Sequence, residues 1–279
     1  MKPQLQKPSR IRDCDGPDSP LAAATAFRDK GILGKVRRAL ARHDVLLAYQ
    51  PVVYASDPDN VAFYEGLIRI LDENQRVIPA GDFMPAAENE EAGRLIDCFA
   101  LELGLRALAE RPDLRLSINM SARSIGYPPW MSVLREGLST DPTSGERLIL
   151  EITESSAMLM PELVQVMMSD LASHGITFAL DDFGAGYTAF RYFKEFNFDV
   201  LKIDGQFVRD IHRDANNQVL AQALVSIGKH FDMLTVAEAV EDAGEAAWLA
   251  EIGFDCLQGF YFGAPSINAP SDIVEEKRA

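Results

Sequence analysis

Four times a short run of Val, Ile, Leu or Phe in this chain stops at a carboxylate: Glu65, Glu151, the pair Asp181–Asp182, and Glu238. The residues after each of these acids read as a loop or a helix start. Acids placed where strands run out are what a parallel barrel needs to hold divalent cations at one rim. At 279 residues the chain is long enough for a (β/α)8 barrel, which takes about 250.

The pattern along the chain fits that architecture. Residues 1–20 are polar and Pro-rich and read as a flexible leader, and a helix is expected from Leu21 to His43. Strands are predicted at Leu46–Tyr54, Val61–Leu71, Leu114–Asn119, Leu148–Ile152, Thr177–Asp181, Val200–Ile203, Leu234–Ala237 and Cys256–Gln258. Helices are predicted at Ile96–Glu110, Pro161–His174, Ala215–His230 and Gly244–Ile252. Several strands are apolar almost throughout, as expected when both faces are covered. The first connection departs from a simple repeat. Only Ala55 to Asn60 separates the first two strands, and this stretch is turn-forming. No crossover helix fits, so the pair should be antiparallel. The predicted fold is a modified TIM barrel whose first strand runs antiparallel.

Each polar residue at a strand end has an ordinary explanation. Glu151 and Glu241 suit the first turn of a helix, Asp182 and Asn119 suit an N-cap, and Lys202 suits a structural ion pair with Asp204, two residues on. Adjacent Asp181 and Asp182 do not both need to cap. Successive strand residues face opposite ways, so both reach one cluster only if the strand ends at Asp181 and a loop begins at Asp182. Gly184 and Gly186 permit that turn. Taken together, the ordinary explanations require six strands to end by coincidence in Glu, Asn, Glu, Asp, Lys and Glu. Oxygen ligands without His or Cys select Mg²⁺ or Mn²⁺ over zinc, and a nearby Lys suits a two-metal displacement at phosphorus. If Lys202 faces the acids, their charge keeps it protonated and makes it a poor base.

Charge and cysteine content narrow the setting. With 42 acidic against 27 basic residues and a net charge of −15, the surface repels duplex nucleic acid, which is bound through Lys and Arg. A small anionic ligand stays feasible once bound cations reverse the local potential. Cys14, Cys98 and Cys256 form no close pair, which fits a reducing cytoplasm. No run approaches the roughly 20 apolar residues of a membrane span.

The ordered motifs resemble the EAL phosphodiesterase domain, which hydrolyses cyclic di-GMP. They stand as YQP at Tyr49–Pro51, EGLIR at Glu65–Arg69, NMS at Asn119–Ser121, EITE at Glu151–Glu154 and DDFGAGY at Asp181–Tyr187. KID at Lys202–Asp204, AEAVE at Ala237–Glu241 and QGFYFGAP at Gln258–Pro265 complete the set. The resemblance implies a barrel domain over 35–268, after a leader and helix start at 1–34 and before a tail at 269–279. It implies that Glu65, Asn119, Glu151 and Asp181 hold one metal ion and Asp181, Asp182 and Glu238 a second, with water attacking in line to give linear pGpG. By the same carry-over Lys202 orients the water and Glu238 takes its proton. Gln50, Arg69, Asp204 and Gln258 belong to the substrate side, with Gln258 supporting the site near Glu238, and Glu154 braces the Asp181–Tyr187 loop. A homodimer, two Mg²⁺ or Mn²⁺ ions and inhibition by Ca²⁺ are also expected.

Three departures stand out. Gly66 replaces the motif's Ala, Ala239 a usual Gly, and GYTAF a usual GYSS. A positive φ at Ala239 would cost roughly 1–2 kcal/mol and threaten the placement of Glu238. The alternative to an enzyme is an inactive receptor or interaction module on the same barrel, but no ligand is missing. An unrelated Mg²⁺-dependent barrel of the enolase kind leaves DDFGAG and QG unexplained. The first 34 residues are too few for an attached cyclase-like or sensory domain.

Overall fold

The structure, a computed structural model, describes residues 20–184 and 195–268. The leader, the tail, and Gly186, Tyr187, Thr188 and Ala189 of the loop motif lie outside these residues. Helix α1 (Pro20–Ala41) is followed by strands β1 (Val45–Tyr54) and β2 (Asp57–Leu71), a short β3 (Val77–Ile78), and helices α2 (Ala80–Ala87) and α3 (Glu91–Glu110). Then come β4 (Leu116–Asn119), α4 (Pro128–Thr140), β5 (Leu148–Thr153), α5 (Glu154–Ala157), α6 (Pro161–Ala172), β6 (Thr177–Phe183) and β7 (Val200–Ile203). Helix α7 (Ala215–His230), β8 (Leu234–Ala237), α8 (Ala243–Ile252) and β9 (Cys256–Gln258) complete the order.

The strands close into an eight-stranded barrel. β1 is antiparallel to both its neighbours, β2 and β9, while β2, β4, β5, β6, β7, β8 and β9 run parallel in turn. β3 lies outside the barrel, paired antiparallel with the end of β2. The expected six-residue connection is corrected: Tyr54 pairs with Asp57, and residues from Asp57 to Asn60 belong to β2. Register shifts on either side of Val53 absorb the irregularity and let the exposed polar residues extend the hairpin beyond the barrel.

The helices outside the barrel bury one apolar face each. α3 turns Ile96, Leu101, Leu105 and Leu108 inward at helical spacing. Among the described residues the chain packs three further helices that periodicity did not suggest, α2, α4 and the single turn α5, with α4 anchored by the fully buried Trp130 and Leu134. α2 joins α1 and the end of β2 in a small separate core around Val36, Ile70, Ile78 and Phe83. Burying side chains of this size contributes about 1.5–3 kcal/mol each, which is what holds this lobe to the barrel.

Gly66 has a packing cause. A Cβ there would lie 2.6 Å from Ile118 Cδ1, and one on Gly104 of α3 would lie 2.8 Å from the same atom. Ile118 on β4 thus fills the space left open by two glycines.

Candidate active site

Register places one polar side chain from every barrel strand at the same end. Gln50 of β1 pairs with Glu65 of β2, and Asn119 of β4 with Glu151 of β5. Asp181 lies on β6, Lys202 on β7, Glu238 directly after β8, and Gln258 at the end of β9. Asp181 lies deeper than its expected strand end, which is a correction, while Glu65 and Glu151 fall inside their strands as Val61–Leu71 and Leu148–Ile152 have them. Glu65 sits well inside β2, and Glu151 and Asp181 are followed by further strand residues. These acids point into the barrel from within the strands, because the alternation that buries their apolar neighbours outside turns them inward.

Asp182 is the second correction. Strand pairing resumes at Phe183 after a register break beyond Leu180, and Asp182 takes a left-handed φ of +53°. This twist, rather than a strand end at Asp181, brings the adjacent carboxylates to one side. Ligand oxygens of Asp181, Asp182 and Glu238 all lie within 4.8 Å of one another, a grouping able to hold a metal ion. On the other flank of that triad Ala239 has φ +55°, the strained conformation the sequence left open. Two non-glycine residues in the left-handed region thus border one acidic triad, and such strain gathers at functional sites.

Lys202 is the electrostatic centre. Only 1% exposed, its Nζ lies 2.7 Å from Glu238 Oε1, 2.9 Å from Glu151 Oε2, 3.0 Å from Asp181 Oδ1 and 3.5 Å from Glu65 Oε2. Burial alone would lower its pKa, but Asp181, Glu151, Glu238 and Glu65 together raise it well above the usual lysine range, so it stays a cation. The ordinary alternative, an ion pair of Lys202 with Asp204, does not form. Asp204 instead caps the short 3-10 turn Gly205–Phe207, accepting from Gln206 N at 2.8 Å.

The acids respond differently to this cation. Burial pushes Glu151 up to about 8, with Lys202 opposing and Glu65 and Asp181 adding to the rise. Glu238 is raised well above its ordinary value, first by burial and then, against Lys202, by Asp181 and Glu65. Asp182, though open to solvent, is pushed up to about 6 by desolvation in its recess and then by Asp181 and Asp204. Glu65 goes the other way. Its burial is outweighed by Lys202 and by hydrogen bonds from Gln258 and Asn119, which hold it below the usual carboxylate range. Asn119 Nδ2 donates to Glu65 Oε1 at 2.7 Å and Gln258 Nε2 to Glu65 Oε2 at 2.6 Å. Gln258 also donates to Gln50 Oε1 at 3.3 Å. Its hydrogen bonds therefore support Glu65, not the neighbourhood of Glu238 as expected.

The donor set fits hard cations. Glu151 takes a side-chain hydrogen bond from Ser117. Gln258 Oε1 is buried without a hydrogen-bond donor, and Asp181 Oδ1 has the Lys202 ion pair at 3.0 Å and no hydrogen bond. Buried acceptors left this way are uncommon and costly, and both are oxygens, which suit Mg²⁺ or Mn²⁺. Asn119 presents its amide nitrogen to Glu65, so its service as a ligand calls for rotation of that amide.

A cavity of about 810 Å³ opens over the ring. Gln50, Glu65, Asp204, Glu238 and Gln258 line it. Arg69 is not among the lining residues; its half-buried Nη1 donates to Ile68 O at 3.2 Å. Glu154 Oε2 accepts from Gly184 N at 3.3 Å, at the start of the loop it was expected to brace. Sequence reasoning passed over Arg209 and Phe260, which also line the cavity. Glu241 does too, from the loop before the N-cap Asp242, not from the first helical turn.

The EAL domain profile matches residues 34–265. The bifunctional diguanylate cyclase/cyclic di-GMP phosphodiesterase MucR of Pseudomonas aeruginosa is 30% identical over 247 residues, covering 87% of this chain and 36% of that protein. Cyclic di-GMP phosphodiesterase PdeF of Escherichia coli is 29% identical over 244 residues, 86% of this chain and 32% of its own length. The chain thus spans about a third of these relatives. Among solved structures, the PaMucR phosphodiesterase in complex with c-di-GMP superposes with a TM-score of 0.78 at 28% identity, covering 87% of this chain and 99% of that one. The FimX EAL domain of Pseudomonas aeruginosa bound to c-di-GMP gives 0.77 at 26% identity, over 85% of this chain and 97% of that one.

Proposed function

The chain belongs to the EAL domain family, and from that premise we propose that residues 35–268 hydrolyse one phosphodiester bond of cyclic di-GMP to linear pGpG. The observation that carries the reading is the ring itself: four carboxylates, three on strands and one directly after β8, lie within 3.5 Å of one buried cation, Lys202.

Two Mg²⁺ or Mn²⁺ ions, held by Glu65, Asn119, Glu151 and Asp181 and by Asp181, Asp182 and Glu238, would supply an activated water and neutralise charge developing at phosphorus. Lys202, held as a cation by its four partners, orients the attacking water through an N–H donor and does not act as base. Glu238 takes the water's proton. Gln50, Asp204 and Gln258 contact the substrate across the cavity, and Arg69 contributes a fork suited to phosphate after turning from the Ile68 carbonyl. Glu154 steadies the loop that begins at Gly184.

The test is incubation of purified protein with cyclic di-GMP and Mg²⁺ or Mn²⁺, with products separated by chromatography. Linear pGpG is expected; binding without turnover moves the reading to a receptor on the same barrel. Ca²⁺ has a looser and more variable coordination and is expected to inhibit by at least about tenfold when added to the Mg²⁺ reaction, roughly 1.4 kcal/mol of transition-state stabilisation. Full turnover in Ca²⁺ alone would contradict the two-ion geometry.

We also place the protein in the cytosol as a homodimer. No helix among the described residues is long and apolar enough to cross a membrane. Leu159, Leu163 and Val166, at helical spacing along and just before α6, are 59%, 49% and 59% exposed, an apolar stripe suited to a second copy. Sedimentation is expected to give a dimer that Leu163→Lys together with Val166→Lys converts to monomer; a wild-type monomer would refute the assignment.

A further inference from the structure

Two loops form one wall of the cavity, and a residue outside the cavity ties them together. The turn after β7 carries Asp204, Gly205, Gln206 and Arg209, and the loop after β8 carries Glu238, Ala239 and Glu241. They meet at three points. Ala239 packs over Gly205, where a Cβ would come within 2.6 Å of the Ala239 methyl. Arg209 Nη2 pairs with Glu241 Oε1 at 3.3 Å, both ends exposed, a contact that holds little in water. The third point is Glu245, on the first turn of α8 and 2% exposed.

Glu245 uses both carboxylate oxygens. Oε1 accepts from Asp210 N at 2.7 Å on the β7 side. Oε2 accepts from Glu241 N at 2.7 Å and Asp242 N at 3.4 Å on the β8 side. The Asp242 contact completes a capping box and is ordinary at a helix start. The bond to Asp210 is not: it spans 35 residues. Asp210 has φ +54° and Ala239 φ +55°, so each loop holds one left-handed non-glycine residue, and Glu245 binds backbone on both. A carboxylate at a helix N-terminus with three backbone N–H partners spends both of its oxygens as acceptors.

We infer that Glu245 is a positioning residue of the proposed reaction: it bolts the two loops together and so fixes Glu238 against the strain at Ala239. The inference rests on the reading of the site as a phosphodiesterase, through Glu238. A glutamine has one acceptor where the carboxylate has two, so Glu245→Gln must leave either the Asp210 or the Glu241 amide facing an NH₂ group.

Hydrogen exchange, Mn²⁺ affinity and turnover test it together. In the unmodified protein the Asp210 and Glu241 amides should exchange at least about 100-fold slower than in an unprotected chain; fast exchange at either overturns the inference without any variant. In Glu245→Gln at least one of these amides should speed up about tenfold. Mn²⁺ binding by calorimetry should weaken about fivefold or more, and kcat for cyclic di-GMP should fall about tenfold with KM changed less than threefold, magnitudes typical when a support of a metal site is removed. Adding Ala239→Gly, which removes the strain, should recover a third or more of the lost kcat. A merely structural role for Glu245 would lower folded yield and leave Mn²⁺ affinity and kcat per folded molecule unchanged, and that result overturns the inference. If the unmodified protein binds Mn²⁺ but does not hydrolyse cyclic di-GMP, the assignment of function fails, while exchange and Mn²⁺ affinity still decide the place of Glu245.

Discussion

Replacing Glu65 by alanine is expected to lower kcat/KM for cyclic di-GMP by at least about 10³, or roughly 4 kcal/mol of transition-state stabilisation. Glu65 is held below the usual carboxylate range, so it is ionised throughout the neutral region. Its two oxygens order Asn119 and Gln258, and its charge lies 3.5 Å from Lys202. Alanine removes a candidate metal ligand and strands two amide donors at once. Because its pKa is depressed, the stability that Glu65 contributes is present above its unfolded value and is lost as pH falls through the folded one. Steady-state kinetics on folded protein at neutral pH checks the expectation. Activity within tenfold of the unmodified chain would remove Glu65 from the catalytic ring.

Lys202→Met is expected to have the largest effect on stability, a loss of about 3–5 kcal/mol at pH 8 in metal-free buffer, because it leaves buried carboxylates without their cation. The sign of its pH dependence is set by the groups involved. In the unmodified protein the raised pKa of Lys202 means that its stabilisation is complete below the unfolded lysine value and is lost only as pH rises through the folded one. The acids left behind behave oppositely to Glu65. An acid whose folded pKa is raised, such as Glu151 at about 8, destabilises the fold progressively as pH rises from its unfolded value through the folded one. Removing Lys202 raises these acids further, so the deficit should shrink toward pH 5, where they accept protons. Urea denaturation at pH 5 and pH 8 measures both. An equal deficit at the two pH values would show that Lys202 does not neutralise the ring.

Much of the barrel was legible in the chain. Apolar runs bounded by polar residues located all eight barrel strands, because strands covered on both faces leave a continuous signal. The antiparallel first pair could be read from the shortness of its connection. The features that escaped notice were set by tertiary context. Helix α2 contains Pro85 and is only eight residues long, so its pattern is too short to register, and its place depends on the small core around Phe83. The depth of Asp181 within its strand was also hidden. An inward acid and a terminal acid look alike in sequence, and only strand pairing tells them apart. The twist at Asp182 was foreseen as a need but not as a left-handed bulge. Glu245 could have been found from the capping box it forms with Asp242, yet its bond to Asp210 links loops that no local pattern connects.

The central claim is that oxygens from separate strands meet at one barrel mouth to hold a pair of hard cations. Equilibrium titration of the metal-free protein with Mn²⁺ tests it most directly, by counting ions bound per chain. The account predicts two ions in the unmodified protein and no more than one in Glu65→Ala. A single ion or none in the unmodified chain, or two ions undisturbed by the loss of Glu65, would contradict it.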